Sequence, residues 1–231
     1  MPPRPPAEIE ICVDTPDGLA IAAAAGADRI ELCAALALDG LTPGPGLVGL
    51  ARAAPVPVMA MIRPRAGDFV FGAADTEAAL ADIAHMRAAG LAGVVLGASL
   101  PDGRLDTGTL AQMVQAAEGL DLTLHRAVDI TPDPFAALED AIALGFTRVL
   151  TSGQARTALA GADLLARLVR AARGRIGIMA GAGVRADHAA RLLATGVTAL
   201  HGSFRGGDGL PDRDEIARLR AAVTRAVSAG G

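Results

Sequence analysis

The chain has no lysine, tryptophan or tyrosine, and only two cysteines and five phenylalanines among its 231 residues. All 21 basic side chains are therefore arginine, which removes Schiff-base chemistry and the lysine-dependent phosphate loop together. With aromatics at 2%, a formal net charge of −4 and a pI near 5.5, neither the stacking surface nor the basic stripe of a nucleic-acid binder is present. Cys12 and Cys33 are too few for a disulfide scaffold and fit free thiols in a reducing, cytoplasmic compartment. Hydrophobic residues reach 52%, yet Arg, Asp and Gly interrupt every apolar run before the roughly eighteen residues that a membrane span needs. No membrane partner is expected. The chain also has no G-x-S-x-G elbow, H-E-x-x-H or C-x-x-C, so serine-hydrolase, zinc-protease and zinc-ribbon chemistries lack their motifs.

What is present is a rhythm. Glycines that end alanine-rich helical stretches lead into short apolar runs at Gly26–Cys33, Gly90–Leu96, Gly119–His125, Gly145–Thr151, Gly174–Ala180 and Gly196–His201. Glu8–Val13 and Pro57–Arg63 add two strands without the leading glycine. Between them lie helical segments with start signals: Thr15 before Pro16, Asp75 and Thr76 before 78–89, Thr131 before Pro132, and Asp212 before the last helix. A short second helix is expected over Gly46–Ala54, after a Gly/Pro-rich loop from Ala34 to Pro45. Eight strand–helix units in this length predict an α/β fold, a single-domain (β/α)8 TIM barrel over residues 8–231. Residues 1–7, rich in proline, are expected to form a flexible arm.

Side chains alternate across a strand. If the β-branched and leucine positions face the helices, Glu10 and Cys12, then Arg29, Glu31 and Cys33, then Met59, Met61 and Arg63 point inward, joined by His125 and His201. Enclosed carboxylates cost several kcal/mol unless paired, so Glu10 and Glu31 are expected to meet Arg29, Arg63 or a protonated histidine. Barrel enzymes place their chemistry at the C-terminal strand ends. Glu10, Glu31 and His125 are the acid/base candidates there, with Arg63 and Arg126 as charge stabilisers. A structural salt-bridge network is the alternative reading of the same residues. Arg65, in the loop Arg63-Pro-Arg-Ala-Gly-Asp-Phe69, suits bidentate grip of an anion or a rim ion pair with Asp68. Turns at Ser152-Gly153, Gly181-Ala-Gly183 and Gly202-Ser203 supply a candidate anion or phosphate site. Cys12 and Cys33 are soft donors in matching places, with Met59 and Met61 on the next strand, so Cu(I) binding stands beside the reading of buried, inert thiols.

The segments Glu10-Ile-Cys-Val-Asp14, Gly26-Ala-Asp-Arg-Ile-Glu-Leu-Cys33, Gly40-Leu-Thr-Pro43, Ile62-Arg-Pro-Arg-Ala-Gly-Asp-Phe69, His125-Arg-Ala-Val-Asp129, Arg148-Val-Leu-Thr-Ser-Gly-Gln154 and Met179-Ala-Gly-Ala-Gly183 resemble those of the CutC family, known as copper homeostasis proteins. The resemblance implies a (β/α)8 barrel, a cytoplasmic homo-oligomer, and copper handling with Cu(I) at Cys12 and Cys33. The family pattern is broken at Asp39 and Ala66, each standing where a glycine is usual, and by a shortened loop after His201-Gly-Ser203, where Arg205 could replace lost contacts. The reading that competes with copper handling is an isomerase- or lyase-type enzyme acting on a small anionic or phosphorylated metabolite at the barrel mouth.

Overall fold

In the computed structural model, which describes residues 7–229, strand and helix alternate through the whole chain. The strands are β1 (Glu8–Val13), β2 (Arg29–Leu32), β3 (Val58–Met61), β4 (Gly93–Leu96), β5 (Asp121–Leu124), β6 (Arg148–Thr151), β7 (Gly177–Ala180) and β8 (Ala199–Gly202). The helices are α1 (Pro16–Ala24), α2 (Pro45–Ala51), α3 (Ala73–Ala89), α4 (Thr107–Ala116), α5 (Pro134–Ala143), α6 (Ala162–Ala172), α7 (Ala186–Ala194) and α8 (Arg213–Ala229). Every strand pairs in parallel with its sequence neighbours, and β1 pairs with β8. The sheet closes in the order β1 to β8, the expected (β/α)8 barrel. The proline-rich arm, apart from Ala7, lies outside the described residues. Among the described residues no helix is long and apolar enough to cross a membrane.

Two of the four start signals act as expected. Thr15 accepts from the Gly18 N–H and caps α1, and Asp212 accepts from the Asp214 and Glu215 N–H groups to open α8. Two helices begin elsewhere. Helix α3 starts at Ala73, because the Asp75 carboxylate at its third position reaches back to the Gly72 N–H at 3.1 Å. Helix α5 is capped by Asp133, which accepts from Phe135 and Ala136, with Pro134 at its first position. Thr131 instead turns its hydroxyl to the Val128 carbonyl.

The alternation of side chains divides the core in two. Outward residues such as Ile9, Ile11, Ile30, Leu32 and Ile62 pack with the helices in one cluster, each worth about 1.5–3 kcal/mol when fully buried. Inward apolar residues form two small separate groups, Cys33 with Met59, Met61 and Val95, and Leu150 with Met179 and Ala199. The rest of the interior is polar: Glu10, Arg29, Glu31, Thr123 and His201 are all buried there. On β4 the first inward position is Gly93; a Cβ there would fall 2.0 Å from Met59 Cε and 2.3 Å from the Asp121 carbonyl oxygen. Its missing side chain makes room for the Met59 side chain inside the barrel.

Candidate functional site

Three adjacent strands, β8, β1 and β2, build the polar interior. Their register sets Glu10 beside both Arg29 and His201, and Cys12 beside Glu31. Arg29 Nε meets Glu10 Oε2 as an ion pair at 2.5 Å, without the alignment of a hydrogen bond. Its Nη1 and Nη2 reach Asp121 Oδ2 at 3.2 Å and Thr123 Oγ1 at 3.1 Å. The other Glu10 oxygen lies 2.8 Å from His201 Nδ1. Burial works to raise the Glu10 pKa, but His201, Arg29 and Arg148 outweigh it and hold the carboxyl below its ordinary value. Both Glu10 oxygens are thus occupied and the side chain sits beneath the mouth, where it orients His201.

Because Nδ1 is held by Glu10, the free edge of His201 is Nε2. Cys12, Glu31 and His201, all buried, each offer a ligand atom within 4.8 Å of the others, and His201 Nε2 lies 3.8 Å from Glu31 Oε2. Burial opposes charge on His201, yet Cys12, Glu31 and Glu10 together raise its pKa well above the usual histidine value. Burial, reinforced by Glu10, pushes the Glu31 carboxyl up, with His201 opposing. Glu31 Oε1 is buried with no hydrogen-bond partner. A cation bound to sulfur, nitrogen and oxygen at about 2.0–2.3 Å would draw those atoms to within roughly 4 Å of one another. The Glu31 carboxylate, the thiol and the oriented imidazole, with ligand atoms within 4.8 Å of one another, fit that demand.

Cys33 is not in this group. Its thiol donates to Glu31 Oε2 at 3.4 Å and lies among Met59, Met61 and Val95. The loop after β2 seals it: a Cβ on Gly40 would fall 3.1 Å from Cys33 Sγ. Burial and the Glu31 charge push the Cys33 pKa well above the ordinary thiol value, so it stands as a protonated donor behind Glu31.

Above the group opens a cavity of about 510 Å³, lined among others by Cys12, Glu31, Arg63, His125, Arg126, His201 and Arg205. Of the three partners expected for the glutamates, Arg29 and His201 meet Glu10, whereas Arg63 turns elsewhere. Its guanidinium donates to the carbonyls of Leu38, Gly40 and Gly67 at 2.7–3.2 Å, so it pins two loops, and it lies 5.0 Å from the centre of the Phe69 ring. Arg65 forms the rim ion pair with Asp68 at 2.8 Å, a second with Asp75 at 3.0 Å, and donates to the Val70 carbonyl. The Ser152-Gly153 turn already holds an anion, the Asp129 carboxylate, which accepts from Thr151 Oγ1, Ser152 N and Oγ, Gln154 N and Arg126 Nε. Gly181 packs closely on Leu150 and His201. Gly183, Gly202 and Ser203 do line the cavity.

His125 lies just past β5, 3% exposed, with its ring 4.5 Å from that of Phe69. It needs the bare backbone of Gly97, where a Cβ would stand 2.0 Å from His125 Cε1. Nδ1 accepts from the Ala127 N–H at 3.0 Å. Burial, aided by the charge of Arg63, lowers its pKa to about 3, so the ring is neutral with its proton on Nε2. Strand alternation turns His201 inward but does not mark it as a ligand, and the sequence shows Asp129 at the end of His125-Arg-Ala-Val-Asp129 without showing what it binds. The signal for its partners is the donor-rich run Thr151-Ser-Gly-Gln154 at the end of β6, of which Thr151, Ser152 and Gln154 donate to it.

Residues 7–206 match the model of the CutC family. A CutC family protein of Caulobacter vibrioides is 55% identical over 92% of this chain and 86% of its own length. One from Sinorhizobium medicae is 58% identical over 80% of this chain and 76% of its own. Among solved structures, a Streptococcus agalactiae CutC, named for copper homeostasis, is similar at a TM-score of 0.82 and 32% identity, covering 85% of this chain and 98% of that one.

Proposed function

The chain belongs to the CutC family, and on that premise we propose that it serves copper homeostasis in the cytoplasm by taking Cu(I) as cargo at Cys12, His201 and Glu31. The observation that carries this reading is the 2.8 Å contact between His201 Nδ1 and Glu10. Metal-binding histidines characteristically give their second ring nitrogen to a carboxylate, which fixes the tautomer and turns the other nitrogen to the ion. Thiolate and imidazole are donors suited to Cu(I), and Glu31 adds a carboxylate whose Oε1 has no hydrogen-bond partner among the described residues. Binding displaces protons from the thiol and the imidazole, so affinity falls on acidification. A reducing compartment, which keeps both thiols free, belongs to the same proposal, as does the homo-oligomer expected from the family resemblance, read by light scattering.

The test is anaerobic competition for Cu(I) against a chromophoric chelator. Cys12→Ser and His201→Ala should each weaken binding at least about tenfold, a loss of about 1.4 kcal/mol, while Cys33→Ser stays within about twofold. Equal weakening by Cys33→Ser and Cys12→Ser would reject the assignment of ligands, and undiminished binding by Cys12→Ser would reject the site.

A further inference from the structure

The cavity above Cys12 and His201 has features that a bare ion does not use. Its apolar wall includes Leu36, Met61, Phe69 and Leu150, and its volume of about 510 Å³ lies within the range of small-molecule sites. The decisive group is His125. Its Nδ1 is committed to the Ala127 N–H, so Nε2 carries the proton, and that buried N–H has no partner. A buried donor left without an acceptor loses the hydrogen bond it had to water, and a native structure seldom retains one without a reason.

The neighbouring charges say what would accept from it. Asp129, four residues on, has its oxygens taken by the Thr151, Ser152 and Gln154 donors and by Arg126 Nε. Arg126 is bound only through Nε and its side chain is 41% exposed at the mouth, which leaves its two terminal nitrogens for a ligand. Arg205, on the shortened loop after β8, also lines the cavity and is held by Asp14 through Nη2 alone. Asp39 and Glu31 also line the cavity, but the charges that act on His125 are Arg63, Arg126 and Asp129, and of these Arg126 keeps donors and positive charge for a ligand.

The geometry points to a second, organic ligand in this cavity: a small acid whose carboxylate or phosphate is gripped by His125 Nε2–H and Arg126, with its carbon skeleton against Leu36, Met61 and Phe69. Planar guanidinium donors match both oxyanions, and hydrogen bonds to a charged group are stronger than neutral ones. The site stands independently of the metal, since neither His125 nor Arg126 belongs to the Cys12, Glu31 and His201 group.

Calorimetric titration of metal-free protein with inorganic phosphate, 2-phosphoglycolate and glycolate tests it and separates phosphate from carboxylate. At least one probe should saturate one site per chain. Arg126→Gln, a change at an exposed side chain, and His125→Asn, which keeps an acceptor for Ala127, should each weaken that binding at least about tenfold. Cys12→Ser should leave it within about twofold. The inference is overturned if no probe saturates by about 10 mM, if Arg126→Gln binds as well as the parent, or if Cys12→Ser abolishes binding. Loss of Cu(I) binding in the separate competition assay would leave these results untouched.

Discussion

Acid should destabilise this protein in part through one side chain, His125. Burial and the nearby Arg63 charge lower its pKa from 6.5 to about 3. Between those values the unfolded chain takes up a proton that the folded chain refuses. The contribution is therefore fully present above about pH 6.5 and is lost progressively as pH falls from there toward about 3. At pH 4.5 an unfolded histidine is almost fully protonated and folded His125 almost wholly neutral. Two pH units at about 1.36 kcal/mol each, less the small loss already present at pH 7, give about 2.5 kcal/mol. The figure changes little if the folded pKa is one unit higher, because pH 4.5 still lies above it. Urea denaturation at pH 7 and pH 4.5 measures the loss in the parent and in His125→Asn, and carboxylates that titrate alike in both cancel in the difference. The acid-induced loss should be about 2–3 kcal/mol smaller in the variant, with unchanged m-values. Equal losses in the two proteins would refute a buried, neutral His125.

Arg29→Met should cost about 3–5 kcal/mol, because it strips Glu10, at 0% exposure, of its main counter-charge. Adding Glu10→Gln should recover part of that in the denaturation midpoint, and no recovery would mean that the stranded carboxylate is not the cause. Asp129→Asn presents an amide to the donors of Thr151, Ser152 and Gln154; a loss of about 2–3 kcal/mol, with faster proteolysis in the segment 152–161, is expected, and unchanged cleavage would show that the loop does not depend on it.

The barrel could be read from the chain because its signals are local. The glycines at 26, 90, 119, 145, 174 and 196 all take positive φ, the conformation that ends a helix cheaply only for glycine, and strand alternation sorted Glu10, Cys12, Glu31 and His201 to the inside. What alternation cannot give is which inward residues meet. That depends on barrel closure: the β1–β8 register sets Glu10 beside His201, two strands at opposite ends of the chain, and the β1–β2 register sets Cys12 beside Glu31 rather than beside Cys33. Loop partners were equally hidden. Arg63 is claimed by carbonyls of Leu38 and Gly40, in a Gly/Pro-rich segment whose path no periodicity describes. The Ser152-Gly153 turn was legible as an anion cradle, but its anion is the protein's own Asp129.

The sharpest question is how many sulfurs a bound Cu(I) touches. X-ray absorption at the copper edge, on protein loaded with one equivalent, should find a single sulfur at about 2.3 Å, from Cys12, with nitrogen and oxygen completing the shell. Two sulfurs in the first shell would bring Cys33 to the metal and contradict a site built from Cys12, Glu31 and His201.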